Sequence, residues 1–310
     1  MQIFVSGSLA YDRIMDFPGR FEDHILPEKI HVLNVSFMVN GLTENFGGTA
    51  GNIAYSLSLL GESPLILATA GNDFDHYEKW LRQCRLSTKG IRKVDDVLTA
   101  GAYITTDQSD NQITGFNPGA MQYPSNYTFE LIDAKDTLAI VGPGNLDDMR
   151  QYSRHYKKFG IDYIFDPGQA IPALTGEALT DMMTGCRYLI SNDYELDMIK
   201  KTTGMETGDM LARCQAVITT LGEKGSVIRT GQEEVFIDSV PVDQAVDPTG
   251  AGDAYRAGLI KGIVEGKSLA DTARMGAVCA SFAVEKQGTQ VHRFTTEEFD
   301  ARYRQAFDCH

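Results

Sequence analysis

Short apolar runs alternate with longer amphipathic segments through most of this chain, and that rhythm constrains the fold more than any other feature. The runs cover residues 3–5, 64–69, 137–141, 163–165, 188–191 and 216–220. Runs this short and this apolar are expected of strands buried between two layers of helices. Between them, Ile53, Leu57 and Leu60 lead up to Gly61, and Phe74, Tyr77 and Leu81 follow Asp73, at the spacing of helices that bury one side. The pattern predicts an α/β fold, a mostly parallel central sheet flanked by helices on both faces. Several runs end at Gly, Asp or Asn, and the carboxyl ends of parallel strands are where such folds hold ligands. A terminal helix is predicted from Thr295, where Thr295 and Glu298 have capping-box spacing and Phe299, Tyr303 and Phe307 share a face.

Two stretches depart from this rhythm. Across residues 33–39, Leu33, Val35, Phe37 and Val39 alternate with Asn34, Ser36 and Met38, which predicts a strand with one wet face. From about residue 98 to 116, the polar turn Asp107-Gln108-Ser109-Asp110-Asn111 predicts a hairpin. Both are expected in a small β-sheet lid, drawn from discontinuous segments of approximately 13–45 and 98–120 within one domain spanning 1–310. The alternative places them at the edges of the main sheet.

Charge and cysteine usage exclude several functions. The 310 residues include 28 Lys+Arg against 42 Asp+Glu, a formal charge of −14, so no basic face is available for a nucleic-acid backbone. Hydrophobic residues make up 43% and charged residues 23%, an ordinary composition for a globular protein. Residues 1–7 lack the basic and apolar segments of a leader, and no window approaches a membrane span, so a cytoplasmic protein is expected. Cys84, Cys186, Cys214, Cys279 and Cys309 are scattered without a CxxC pair, which argues for reduced thiols rather than disulfides or zinc.

Chemistry concentrates in Asp247-Pro248-Thr249-Gly250-Ala251-Gly252-Asp253-Ala254-Tyr255-Arg256-Ala257-Gly258. A Gly-Ala-Gly turn opening a helix leaves backbone N–H groups at the positive end of the helix dipole, a hole for an anion. Asp253 would stand beside that anion, where a carboxylate accepts the proton of an attacking hydroxyl. On these residues alone, a helix cap and a tight turn explain the segment equally well. Earlier, Phe46-Gly47-Gly48-Thr49-Ala50-Gly51-Asn52 pairs two glycines, which let a ligand approach the backbone, with an amide suited to a sugar diol. A tight turn entering a helix is the plainer reading of that segment.

In this order, the two segments together resemble the signatures of the PfkB, or ribokinase-like, family of carbohydrate and nucleoside kinases, and the resemblance covers nearly the whole chain. It implies a phosphotransferase that uses ATP and Mg2+, with Asp253 as catalytic base and the amides of Gly250, Ala251 and Gly252 stabilising the transferred phosphoryl group. Asn192-Asp193-Tyr194-Glu195 looks like the family's NxxE segment, implying that Asn192 and Glu195 place Mg2+ and phosphate through water. Thr220-Leu221-Gly222-Glu223-Lys224-Gly225 resembles a TxGxxG nucleotide segment, implying that Thr220, Gly222 and Gly225 lie near ATP. The resemblance assigns Asp12, Gly47, Gly48 and Asn52 to the acceptor. Asp247 and Thr249 match positions where some relatives hold K+, although Pro248 departs from the usual Thr or Ser.

The acceptor is read from further departures. Thr49 stands where sugar kinases of the family often have Lys, and Phe17, Phe21, His24, His31, Phe37 and Phe46 make the preceding region aromatic. Both features are closer to the family's bacterial and archaeal nucleoside kinases, of which adenosine kinase is the nearest familiar activity. The implied reaction is phosphorylation of the 5′-hydroxyl of adenosine or another purine nucleoside. The alternatives are a sugar kinase acting on ribose or fructose and, from another class, a nucleotide or nucleoside sensor without turnover.

A flat base needs an apolar slot, and Phe116 is the candidate surface, with Gln112 and Asn117 as candidate readers of the base edge. Asp166 and Gln169 follow a predicted strand and are expected to face the cleft, whereas Arg256 is expected at the surface or in an ion pair. The expected partners are a small nucleoside and ATP, with neither nucleic acid nor membrane. Monomer and lid-paired homodimer both remain open.

Overall fold

The computed structural model describes residues 1–25, 34–109, 111–130 and 132–307. His31, Leu33, Asp110 and Cys309 lie outside the described residues. The larger sheet contains β1 (Gln2–Ser6), β4 (Leu65–Ala70), β5 (Ile91–Lys93), β8 (Thr137–Val141), β9 (Asp162–Phe165), β10 (Tyr188–Asn192), β11 (Ala216–Thr220), β12 (Ser226–Thr230) and β13 (Glu234–Ile237). Its order is β13-β12-β11-β10-β9-β8-β1-β4-β5. Strands β5 to β11 of that order run parallel, and β12 and β13 add an antiparallel hairpin at one edge.

Each central strand feeds two cores, because successive side chains point to opposite faces of a sheet. Phe4, Leu67, Ala139, Phe165, Leu189 and Val217 face α3 (Leu146–Phe159), α4 (Gly176–Met183), α5 (Asp193–Thr203) and α6 (Thr207–Leu211). Val5, Ile66, Ile140, Ile164, Ile190 and Ile218 face α1 (Thr49–Leu59), α2 (Asp75–Gln83), α7 (Ala251–Val264), α8 (Leu269–Val284) and α9 (Thr296–Phe307). The last helix opens on the expected reciprocal cap: Thr295 N donates to Glu298 Oε2 (2.7 Å) and Glu298 N to Thr295 Oγ1 (3.2 Å). Its Phe299 is buried, with Tyr303 and Phe307 packed behind it. This is the expected α/β architecture, a mostly parallel sheet between two layers of helices. Among the described residues, no helix is long and apolar enough to cross a membrane, and Cys84, Cys186, Cys214 and Cys279 are free thiols.

A separate four-stranded sheet forms the lid, in the order β3 (Asn40–Gly47), β2 (Ala10–Asp16), β6 (Ala100–Thr106), β7 (Gln112–Asn117). The expected hairpin is β6 with β7, paired with each other rather than with the main sheet. The strand predicted at 33–39 is not formed within its described part, residues 34–39. Pairing of β2 with β3 ends at Asp16 and Asn40, after a register shift. Val35, Phe37 and Val39 still turn inward while Asn34, Ser36 and Met38 stay exposed. Phe37 packs on Phe17 and Phe21 at ring distances of 4.7 and 5.5 Å. The period of two therefore records burial of alternate side chains along chain that has no ladder partner among the described residues.

Candidate active site

Gly250 adopts φ +79°, a left-handed conformation open to glycine, and turns the chain into α7. Asp253 falls in the first turn of that helix. Of the three amides expected to meet phosphate, that of Ala251 closes the local turn by donating to the Pro248 carbonyl oxygen (3.1 Å). Asn52, in the first turn of α1, donates from Nδ2 to Asp253 Oδ2 (2.8 Å). The starts of two helices 201 residues apart are thus joined at the carboxylate. Burial raises the Asp253 pKa to about 7, against the lowering effects of Arg256 and the Asn52 donor; Asp166 and Asp12 push the same way as burial.

Arg256 lies one turn further along α7 and is only 6% exposed. Its Nε and Nη2 grip both oxygens of Asp166, the Nη2 bond measuring 2.9 Å, and Nη1 donates to the Gly252 carbonyl oxygen (2.9 Å). Asp166, at 1% exposure, is therefore turned under the helix and does not face the cleft as expected. A buried guanidinium requires a carboxylate partner, and Asp166 fills that need.

A cleft of about 1050 Å³ opens between α7 and the lid, lined by Asp253, Gly250, Asn52, Asp12, Gln169 and Phe116 among others. Asp12 sits within β2 rather than in a turn. Burial raises its pKa to about 6, Thr289 lowers it and Asp247 raises it. The paired glycines have a use besides the one expected: Gly48 lines the cleft, and both also make room for the chain itself. A side chain at Gly47 would strike the Asp12 carboxylate, and one at Gly48 (φ +86°) would lie 2.6 Å from the Ser8 carbonyl oxygen. Their absent side chains make room for the chain's own β1–β2 connection and for the Asp12 carboxylate. Thr49 ties the same loops together, its hydroxyl 2.9 Å from Ser8 Oγ and 3.1 Å from the Pro143 carbonyl oxygen.

On the lid, Phe116 is 52% exposed and lines the cleft. Gln112 and Asn117 do not line it. Gln112 is four residues away, roughly 13 Å along a strand, and its amide lies 3.4 Å from the Thr106 hydroxyl. Asn117 points to the opposite face from Phe116, and its Oδ1 accepts from Gly119 N (3.1 Å) to hold the next turn.

The segments assigned to nucleotide and metal lie at neighbouring strand ends, where Asn192 and Thr220 are register partners. Asn192 and Glu195 form a reciprocal cap: Glu195 N donates to Asn192 Oδ1 (2.7 Å) and Asn192 N to Glu195 Oε2 (2.9 Å). Burial raises the Glu195 pKa, as does Asp166, while the Asn192 amide and Arg256 lower it. Gly222 (φ +60°) and Gly225 (φ +88°) shape the turn between β11 and β12. Asp247 accepts from Thr249 N (2.9 Å) and Gly288 N (2.8 Å), so both oxygens brace loops beside α7.

Sequence reasoning missed several residues of the cleft wall. Thr289 stands over Gly250 and donates to the Phe46 carbonyl oxygen (2.6 Å), and neither it nor its neighbours carry a motif. Asn145, Asp147 and Arg150 line the cleft from the start of α3. Their signal was present in Gly142-Pro143-Gly144-Asn145, which follows an apolar run as ligand-binding strand ends do.

A buried carboxylate at an open helix start, facing a roofed cleft, suits an enzyme that transfers a phosphoryl group to a hydroxyl. The chain belongs to the PfkB family of carbohydrate kinases, whose pattern matches residues 10–295. It is 31% identical over 273 residues to a nucleoside kinase of Methanocaldococcus jannaschii, covering 86% of this chain and 87% of that protein. Its fold matches the solved structure of a Burkholderia thailandensis nucleoside kinase in complex with inosine, with a TM-score of 0.87, 38% identity and coverage of 99% and 98% of the two chains. A structure of that kinase in complex with ADP-inosine matches with a TM-score of 0.85 and 39% identity, covering 99% and 96%.

Proposed function

We propose that this chain phosphorylates the 5′-hydroxyl of a purine nucleoside, adenosine or its 6-oxo counterpart inosine, with ATP as donor. The observation that carries this reading is the shared cleft: Asp253, Asn52 and Asp12 border the same space as the lid ring Phe116. Its volume of about 1050 Å³ exceeds what a lone pentose would fill. Nucleoside kinases among the similar proteins, one of them in complex with inosine, support the same acceptor. The acceptor hydroxyl attacks the γ-phosphorus, its proton passes to Asp253, and the bond to the ADP oxygen breaks. The amides of Gly250 and Gly252 meet the charge on the transferred group, Asp12 and Asn52 take the sugar hydroxyls, and Phe116 covers the base.

Among the described residues, no three His, Cys, Asp or Glu side chains could hold a metal between them. Mg2+ keeps much of its water and takes phosphate oxygens as ligands, so a single carboxylate acting through water is a sufficient contribution from the protein. Asn192 and Glu195 would hold it through water, and the ion, when bound, supplies positive charge against the phosphates. A K+ site at Asp247 and Thr249 belongs to the same proposal, with Asp247 shared between the ion and its two amide partners. The test is ATP-dependent product formation, read by mass, with adenosine, inosine, guanosine, cytidine, ribose and fructose in parallel. A purine nucleoside monophosphate is the expected product. Preference for a free sugar would overturn the acceptor, and binding without product from any of the six would favour the sensor.

A further inference from the structure

Asn52 is itself held from behind. Gln290 is 3% exposed and adopts φ +58°, a left-handed conformation that residues other than glycine disfavour. A strained backbone at a residue with no free surface directs attention to what its side chain does. Gln290 Nε2 donates to Asn52 Oδ1 (3.0 Å) and to the Tyr77 hydroxyl oxygen (2.6 Å). Gln290 Oε1 accepts from Trp80 Nε1 (3.0 Å).

Chemistry at the two ends fixes the direction of this chain of bonds. The indole N–H of Trp80 only donates, so it must face the Gln290 oxygen. The Tyr77 hydroxyl spends its proton on the Gly47 carbonyl oxygen (2.8 Å) and is left to accept. The Gln290 NH2 therefore points at Asn52, whose oxygen turns towards it and whose NH2 turns towards Asp253. The Trp80 ring is held between Phe46 and Tyr55, stacked at centroid distances of 5.6 and 5.9 Å.

We propose that Gln290, locked by Trp80, is a positioning residue for phosphoryl transfer: it holds the Asn52 amide with its N–H on Asp253, keeping one carboxylate oxygen engaged and the other directed to the acceptor's proton. This rests on reading Asp253 as the base. With Gln290 unable to donate, Asn52 is free to turn its oxygen to the carboxylate, and the proton on Asp253 is lost less readily. The charged groups facing Asp253 are Arg256 on its own helix, Asp166 after β9 and Asp12 on β2, with Glu195 acting on Arg256 from α5. None of them is hydrogen-bonded to the side chain of Gln290 or Trp80.

The experiment is kcat/KM against pH for the intact chain and for Gln290→Met, Trp80→Phe and Asp253→Asn. In the parent enzyme activity falls as pH drops below about 7, because protonation removes the base. Gln290→Met moves this acid limb up by about one pH unit, a tenfold loss of ionised base at a fixed acidic pH, and recovers towards the parent rate on the alkaline plateau. Trp80→Phe, which keeps a six-membered aromatic ring in the stack and removes the donor with the five-membered ring that carries it, moves the limb the same way by less, and carries the test if Gln290→Met folds poorly. A uniform loss at all pH values with the limb unmoved in both variants would overturn the relay and leave the base standing. Turnover by Asp253→Asn at the parent rate would overturn the base, and the relay with it.

Discussion

Around Asp253, polar groups are held by other parts of the same chain: Asn52 by Gln290, Arg256 by Asp166, and Asp247 by the amides of Thr249 and Gly288. Around Phe116 the arrangement is reversed. All six residues of β7 are exposed, and the ring offers half its surface to the cleft and solvent. One side of the cleft is set before any ligand arrives, while the other is an open edge strand of a small sheet. Preorganised donors and charges are what a phosphoryl-transfer step needs, whereas an acceptor must enter and leave. Under the proposed function, the reaction falls to the helix starts beside the large sheet and the choice of acceptor to the lid.

The sharpest way to break this division is Asp253→Asn. We expect kcat to fall by about 10²–10⁴-fold with the dissociation constant of the nucleoside nearly unchanged, read by steady-state kinetics beside calorimetry. Loss of binding together with turnover would show that the two sides are not separate. The second test removes a support from the fixed side. Asp166→Ala leaves the Arg256 guanidinium buried without a carboxylate and should lower stability by ~3–5 kcal/mol, read from urea unfolding. A change within the error of that measurement would mean that Arg256 finds another partner or water. The smallest effect is expected on the lid. Phe116→Ala should weaken nucleoside binding by ~1–3 kcal/mol, the range of a lost stacking surface. Its residual turnover of free ribose should not change, and an equal loss for both acceptors would make Phe116 a lid-packing residue.

Most of the fixed side was legible locally, because each part of it sits at the end of a strand or the start of a helix. The buried strands Thr137–Val141 and Ala216–Thr220 follow directly from apolar runs with definite ends. Edges were harder. The hairpin of Ser226–Thr230 and Glu234–Ile237 mixes Arg229 and Glu234 into its apolar pattern, where they form an exposed ion pair, so its alternation is diluted. Residues 34–39 carry a strand's period without a strand's pairing, since periodicity reports which side chains are buried and not what the backbone meets. Asp166 reads as a cleft residue until the unmet charge of Arg256 is placed beside it. Gln290 has no local signature, because its role depends on Trp80 and Asn52, 210 and 238 residues away in sequence.

That remoteness bears on how the molecule is made. Asn52 is synthesised about 200 residues before Asp253, and Gln290 follows the carboxylate only after the rest of α7 and the whole of α8. A nascent chain halted after β12 would already carry the turn that follows Thr220 but no Asp253. One halted before Gln290 would hold Asp253 beside an Asn52 amide that nothing orients. If Asp253 is the proton acceptor as proposed, translation delivers it and its brace late, and an unfinished or clipped polypeptide would lack the means to consume a triphosphate.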